Sequence, residues 1–225
     1  MLAALLAGCG QDRASADWFP LAAGHRWTYR VTTTGGDDGD TRETQVMTTL
    51  GREDIAGGAA WRRRSDSGID YWLRVEPGGI YRVASKNDLQ ADPVPDQPPR
   101  PVLLAPYRVG TQWQADTTAY LLMRRNEFPR EIRYTHPRIP MSYRIEAVDD
   151  HVETPAGSFA PCLRVRGTAA VRLYADPVSG WTDLPLVTLE WYCRGVGLVR
   201  VERTESAHSS FLTGGKRTLD LVDWK

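Results

Sequence analysis

The chain has 225 residues, long enough to bury a sizeable core, and its 41% hydrophobic and 25% charged residues are those of an ordinary globular protein. Its 28 basic and 28 acidic residues cancel, which removes the electrostatic case for nucleic acid or an anionic surface as partner. Nearly all the basic charge is arginine, and no apolar run beyond the amino terminus is long enough to cross a bilayer as a helix.

The amino terminus carries the most specific motif. Leu6-Ala7-Gly8-Cys9 follows the apolar run from Met1 to Ala7 and has the form of a lipobox. Small residues ahead of the thiol let the backbone fit a signal peptidase, and the cysteine becomes the acylated first residue of the mature chain. Residues 1–8 are short for a full signal peptide and read as a truncated one. Residues 9–17 are then expected to form a lipid anchor, diacylglyceryl and palmitate on Cys9, with a polar tether that does not dock. Gly10 is not the aspartate associated with inner-membrane retention, so the expected address is the outer membrane, facing the periplasm. With Cys9 used for the anchor, Cys162 and Cys193 remain, an even number in an oxidising compartment. They are expected to form a disulfide, the alternative being two reduced, half-buried thiols.

Period-two alternation dominates residues 18–225. Trp27, Tyr29, Val31 and Thr33 share one face, and Gly35 to Asp40 turns the chain into Thr41 to Leu50. Ile69, Tyr71, Leu73 and Val75 alternate with Asp70, Trp72, Arg74 and Glu76. Six prolines between Asp92 and Pro106 predict a stiff connector at 92–106 rather than a strand. Thr118 to Arg125 is the best helical candidate. Leu163, Val165, Gly167, Ala169, Val171 and Leu173 form the clearest strand face, followed by Val187, Leu189, Trp191 and Cys193. Turn signals such as Pro77-Gly78-Gly79 and Gly214-Gly215 separate these runs. The expected fold is all-β, a single domain built on a curved antiparallel sheet or incomplete barrel.

Two halves share landmarks. Pro20-x-x-x-Gly24-x-x-Trp27 recurs as Pro106-x-x-x-Gly110-x-x-Trp113, and Gly79-Ile80-Tyr81-Arg82-Val83 recurs as Gly197-Leu198-Val199-Arg200-Val201. Each later landmark ends a strand pair holding an aromatic couple, Tyr71-Trp72 or Trp191-Tyr192. The pattern is either a pair of pseudo-repeated β-meanders or the coincidence of common glycine-tryptophan hairpins. Phe19-Pro20-Leu21 with Gly24, Trp27 and Tyr29, then Val152 to Phe159 before Cys162-Leu163, then Trp191-Tyr192 leading to Gly195-Val196-Gly197-Leu198-Val199, resembles a widespread, uncharacterised group of bacterial lipoproteins. The resemblance implies a β-rich envelope domain and no established activity.

The chemistry-bearing residues do not assemble into a catalytic or metal motif. His25, His136, His151 and His208 lack ligand spacing, and Asp149-Asp150-His151-x-Glu153 reads as a solvated turn, the alternative being a divalent-ion site. Asp37, Asp38 and Asp40 lack the spacing of a calcium loop. No glycine-serine elbow or phosphate-cradling loop is present, and Arg62-Arg63-Arg64 and Arg124-Arg125 read as strand-face charge. No catalytic residue, metal or cofactor is therefore assigned, and the chain is not expected to be an enzyme; the competing reading is a hydrolase-like enzyme on an unrecognised site.

One pattern points to binding. Trp72, Tyr174 and Tyr192 fall on the otherwise polar parity of their strands, so something must cover that face. Either another layer packs there or a half-open sheet offers an apolar groove, in outline similar to the half-barrel of Lol-type carriers but without a clear counterpart of their helical plug. The expected function is a lipid-anchored binding or assembly module of the cell envelope, taking an apolar ligand or partner protein at these three rings, with the membrane as its other partner.

Overall fold

The computed structural model describes residues 15, 17–35, 39–125, 127–207, 209 and 211–225. Cys9 with its lipobox, and Asp37, Asp38 and His208, lie outside the described residues. The first half of the chain forms six strands: β1 (Arg26–Thr34), β2 (Thr41–Ile55), β3 (Gly58–Ser65), β4 (Asp70–Glu76), β5 (Gly79–Lys86) and β6 (Val94–Leu104). The second half gives β7 (Gln112–Thr117), the short β8 (Met123–Arg124), β9 (Ile139–Thr154), β10 (Gly157–Asp176), β11 (Gly180–Cys193), β12 (Gly197–Glu205), the short β13 (Leu212–Thr213) and β14 (Gly215–Trp224). β8 and β13 pair with each other, and the other twelve make one antiparallel sheet in the order β6-β5-β4-β3-β2-β1-β14-β12-β11-β10-β9-β7.

That order is two six-strand meanders placed side by side. β1 to β6 follow one another across one half, and β7, β9, β10, β11, β12 and β14 across the other. Each landmark seen twice in the sequence falls on the same ordinal strand of its meander. Trp27 and Trp113 lie on first strands, Tyr71-Trp72 and Trp191-Tyr192 on fourth strands, and the Gly79 and Gly197 runs on fifth strands.

The sheet curls until its two edges, β6 and β7, approach each other, and a central cluster fills the inside. Leu73, Ile80, Leu103, Trp113, Met141, Ile145, Leu163, Val165, Leu186 and Tyr192 belong to it. Burying each such side chain contributes about 1.5–3 kcal/mol, which makes this alternation the main determinant of strand register. Gly167 shows how tightly the wall packs: a Cβ there would lie 2.6 Å from Thr188 Cγ2 and 2.8 Å from Tyr143 Cε1.

The proline-rich stretch 92–106 is not a mere connector. Its residues Val94–Leu104 form an edge strand paired to β5, with Pro95 opposite Ala84 and Pro101 opposite Tyr81. Proline is tolerated there because an edge strand needs donors on one side alone. Nor does Thr118 to Arg125 form a helix. The buried Glu205 carboxylate accepts backbone N–H groups from Tyr120, Leu121 and Leu122, at 2.8 Å from Leu121 and 3.0 Å from Leu122. Donors spoken for in this way leave a side-chain-held loop instead of a helical turn. Arg203 Nε, 3.0 Å from Glu205 Oε1, completes the buried pair.

At its two described residues, Ser15 and Asp17, the segment expected to be an undocked tether does dock. Ser15 is buried, its hydroxyl 2.7 Å from the Tyr107 hydroxyl, and the Gly195 N–H donates to Asp17 O at 2.6 Å. Its polar side chains did not predict docking because backbone groups and the adjoining Trp18, Phe19 and Leu21, all buried, hold the segment against the sheet.

Cys162 and Cys193 are direct cross-strand partners of β10 and β11, their Cα atoms 4.1 Å apart, and are joined by a disulfide. Around the bridge a second cluster gathers Trp27, Val152, Phe159, Trp191, Val199 and Leu221, where the β9–β10 turn closes on β14 through Ala156 N–H to Leu221 O at 3.0 Å. The bridge closes a loop spanning 31 residues of sequence. Removing it as Cys162→Ala with Cys193→Ala should cost on the order of 3 kcal/mol and lower the thermal midpoint by roughly 6–12 °C. The same far-ultraviolet circular dichroism before melting is expected, since strand alternation builds the core.

Candidate binding site at the barrel seam

The ladder that should join β6 to β7 is missing. Across the seam Arg100 Nε donates to Asp116 O at 3.1 Å, a side-chain link in place of backbone pairing. The prolines explain this. Pro95, Pro98, Pro99 and Pro101 have no N–H to offer, so β6 can serve β5 but cannot zip to a strand on its free side.

A cavity of about 890 Å³ opens along this seam, within the usual range of about 300–1,000 Å³ for small-molecule sites. It runs from Thr118 and Arg138, beside the loop held by Glu205, down to Phe19 of the docked amino-terminal segment. Its apolar wall comes from Phe19, Leu73, Val102 and Ala115. Phe19 reaches it because the segment before β1 packs into the central cluster, its ring 6.0 Å from that of Tyr192.

The polar part of the lining is dominated by arginine. Arg82 is neutralised by a bidentate pair with Asp96, at 2.7 and 2.8 Å. Arg63 is different. It is 7% exposed, its Cζ lies 4.3 Å from the Trp27 ring and 5.1 Å from the Phe19 ring, and its Nε has no hydrogen-bond partner. Among the described residues it makes no ion pair. Burial pushes its guanidinium down, and the groups that act on it in return are the phenols of Tyr29 and Tyr192. Burial raises both phenols, Tyr29 to about 12 and Tyr192 well above the usual tyrosine value, so both are neutral at pH 7.

The triple arginine is therefore not uniform strand-face charge. Arg62 and Arg64 turn outward to clasp Asp70, each at 2.7 Å, while the residue between them turns in. The signal was present in the sequence: on a period-two strand the middle of three arginines must face opposite to its neighbours.

The three rings expected to bind a ligand do not come together. Trp72 is buried among Ile55, Ala60, Val83 and Ala84, with Nε1 donating to Glu53 Oε2 at 2.8 Å and Arg62 stacked on the ring. Tyr192 is buried in the central cluster, its hydroxyl donating to Glu190 Oε2 at 2.6 Å. Tyr174 alone stays open, edge-on to Trp181 across the β10–β11 hairpin. The parity argument failed on β11 because both of its faces are covered: Leu184, Leu186 and Tyr192 lie in the central cluster and Trp191 and Cys193 in the second.

The acidic run at 149–153 also disperses. Asp150 accepts from Trp191 Nε1 and from Arg164, while His151 Nε2 meets the Ser158 hydroxyl on an exposed strand pair. Among the described residues no group of three or more metal-ligating side chains converges, and no carboxylate holds the other ring nitrogen of His151.

No family model matches the chain, and no curated protein matches it. Among solved structures, a protein from Parabacteroides distasonis provisionally described as a lipoprotein is similar at 15% identity and TM-score 0.40, over 92% of this chain and 98% of that one. A protein from Bacteroides fragilis, provisionally described as exported and with a YmcC-like fold, is similar at 15% identity and TM-score 0.42 over the same shares. Identity at this level transfers no site.

One carboxyl on the inner wall makes a pH prediction. Burial pushes Glu190 up, opposed in part by the hydrogen bond from Tyr192 and by the charges of Arg100 and Arg203. A carboxyl raised on folding holds its proton more tightly in the folded state, so stability falls as pH rises from the usual glutamate range through the raised value. Glu190→Gln should remove that loss. Thermal midpoints of variant and wild type should converge near about pH 4 and separate at pH 8, with the variant higher.

Proposed function

We propose that this protein is a lipid-anchored envelope lipoprotein whose barrel seam binds an apolar or amphiphilic small molecule. The observation that carries the reading is the cavity itself, about 890 Å³ and floored by the central cluster, at the edge that prolines keep from closing. The expected ligand face of Trp72, Tyr174 and Tyr192 is replaced by the seam. Anchoring is supported by Leu6-Ala7-Gly8-Cys9, and Cys9 stands six residues before the docked Ser15. Six residues span at most about 20 Å, so the docked end of the barrel would ride close to the membrane that holds the acyl chains. The Cys162–Cys193 bridge suits an oxidising compartment such as the periplasm. The outer membrane is the proposed address.

The hydrolase reading requires His151 to meet a buried carboxylate, and it meets exposed Ser158 instead. Binding to the seam therefore has the better physical support.

Two measurements test the proposal. Mass spectrometry of the protein recovered from membranes should show an amino-terminal Cys9 carrying diacylglycerol and an acyl chain; a chain recovered soluble and beginning at Met1 would sink the anchor. Titration with the uncharged fluorescent probe N-phenyl-1-naphthylamine should show saturable binding. Val102→Trp, which puts an indole into the cavity, should weaken it roughly tenfold or more, about 1.4 kcal/mol, whereas Tyr174→Ala leaves it unchanged. Equal binding by wild type and Val102→Trp would remove the seam as the site.

A further inference from the structure

We propose that the seam takes an amphiphile with a single acidic head, a carboxylate or a phosphate monoester, and that Arg63 is the group that receives the head. This rests on the seam being a binding site and goes further by assigning the chemistry of what enters.

The argument begins with the position of the charge. Arg63 lies on the cavity lining at 7% exposure, and among the described residues it has no carboxylate partner. A buried guanidinium ordinarily finds a carboxylate, because an uncompensated buried charge is costly. Arg203, the other buried arginine among the described residues, obeys that rule, and three less buried arginines are matched as well. Asp70 answers Arg62 and Arg64, Asp96 answers Arg82, and Glu205 answers the equally buried Arg203. Arg63 alone of these five has no carboxylate: its neighbours are the rings of Trp27 and Phe19 and the neutral phenol of Tyr29, which stabilise a cation without neutralising it.

The other walls decide the shape of the occupant. Leu73, Phe19 and Val102 supply apolar surface continuous with the guanidinium, so a ligand that satisfies Arg63 must also carry an apolar body. A free inorganic anion would leave that surface wet, and a neutral lipid would leave the charge unpaired. Arg100 and Arg138 also line the cavity and make no ion pair among the described residues; against the one unpaired carboxylate there, Asp116, they leave the rim net positive, which biases the approach toward anions. Phe19, whose ring lies 5.1 Å from Arg63 Cζ, belongs to the segment that follows Cys9 in the sequence.

The purified, delipidated full chain is titrated with palmitate, hexadecyl phosphate and hexadecanol, three ligands with one tail and different heads. Wild type should bind at least one of the two anions about tenfold or more tighter than the alcohol, the effect expected of a charge-assisted hydrogen bond in a shielded site. Which anion leads tells a carboxylate head from a phosphate head. Arg63→Met should abolish the preference by bringing both anions down to the affinity of hexadecanol, and Arg63→Lys should retain most of it. Equal binding of all three ligands to wild type overturns the assignment without any variant having to fold. A uniform loss of all three in Arg63→Met also overturns it, because that is the mark of a purely structural cation–ring stack. So does a preference that survives Arg63→Met and vanishes in Arg100→Met. Failure of wild type to bind any of the three would overturn the seam as a binding site, whereas binding without preference leaves the seam standing and removes the acidic head alone.

Discussion

Four prolines on one strand govern the architecture. A twelve-stranded antiparallel sheet curled this far would gain from closing on itself, since closure removes both edges and satisfies their backbone donors and acceptors. β7 presents an ordinary edge. β6 presents Pro95, Pro98, Pro99 and Pro101, none of which can donate. A ladder between them would lack donors at up to four of the eleven positions of β6, and the seam is spanned by the Arg100 side chain instead. The cavity, the exposure of its lining and the access of any ligand follow from that missing ladder.

The charge arrangement is equally selective. The neutral total of 28 basic and 28 acidic residues hides a local imbalance. On the outside, arginines are matched to carboxylates on adjacent strands, as with Arg166 and Glu146 at 2.7 Å, or across an intervening strand, as with Arg217 and Glu43 at 2.8 Å on either side of β1, contacts worth at most about 1 kcal/mol each when exposed. Inside, Glu205 is consumed by Arg203 and three backbone donors, and Glu190 is drawn to Tyr192 and pushed toward its neutral form. The interior is thereby left with a fixed cation at Arg63 and no equally fixed anion beside it.

Much of the fold could be read from the sequence, and the failures share a cause. Alternation placed β1 and β10 correctly because each has one face that is plainly apolar. It misassigned Tyr192 and Trp72 because β11 and β4 are covered on both sides, and a strand buried twice has no polar parity to read. The proline stretch reads as a connector because an edge position cannot be known before the sheet is ordered. The acidic residue that unmakes the helix at 118–125 lies more than 80 positions away, beyond the reach of any local pattern. The cysteine pair was legible because counting needs no geometry. The binding candidate was legible only in part: the sequence called for an apolar groove in a half-open sheet, but Arg63 was lost between two arginines that do face outward.

The twofold sequence pattern acquires a physical meaning in this arrangement. Two meanders placed side by side have two junctions, each between the sixth strand of one and the first strand of the other. At β14–β1 the junction is zipped, with Trp27 opposite Trp224 and pairing that runs to Thr34 opposite Lys216. At β6–β7 it is open. The equivalent tryptophans record the difference. Trp27 Nε1 donates to Val196 O at 2.7 Å inside a packed cluster, whereas Trp113 stacks on Tyr143 with a buried Nε1 that has no partner. A repeat that closed both junctions alike would be a sealed barrel with a filled interior. Breaking the equivalence at one junction, by giving one sixth strand prolines where the other has Arg217, Thr218 and Leu219, opens a single slot without disturbing the ladder that holds the halves together. Arg63 lies on the third strand of the first meander, reached through that slot and flanked by the Trp27 of the closed junction, so the site draws on both junctions at once.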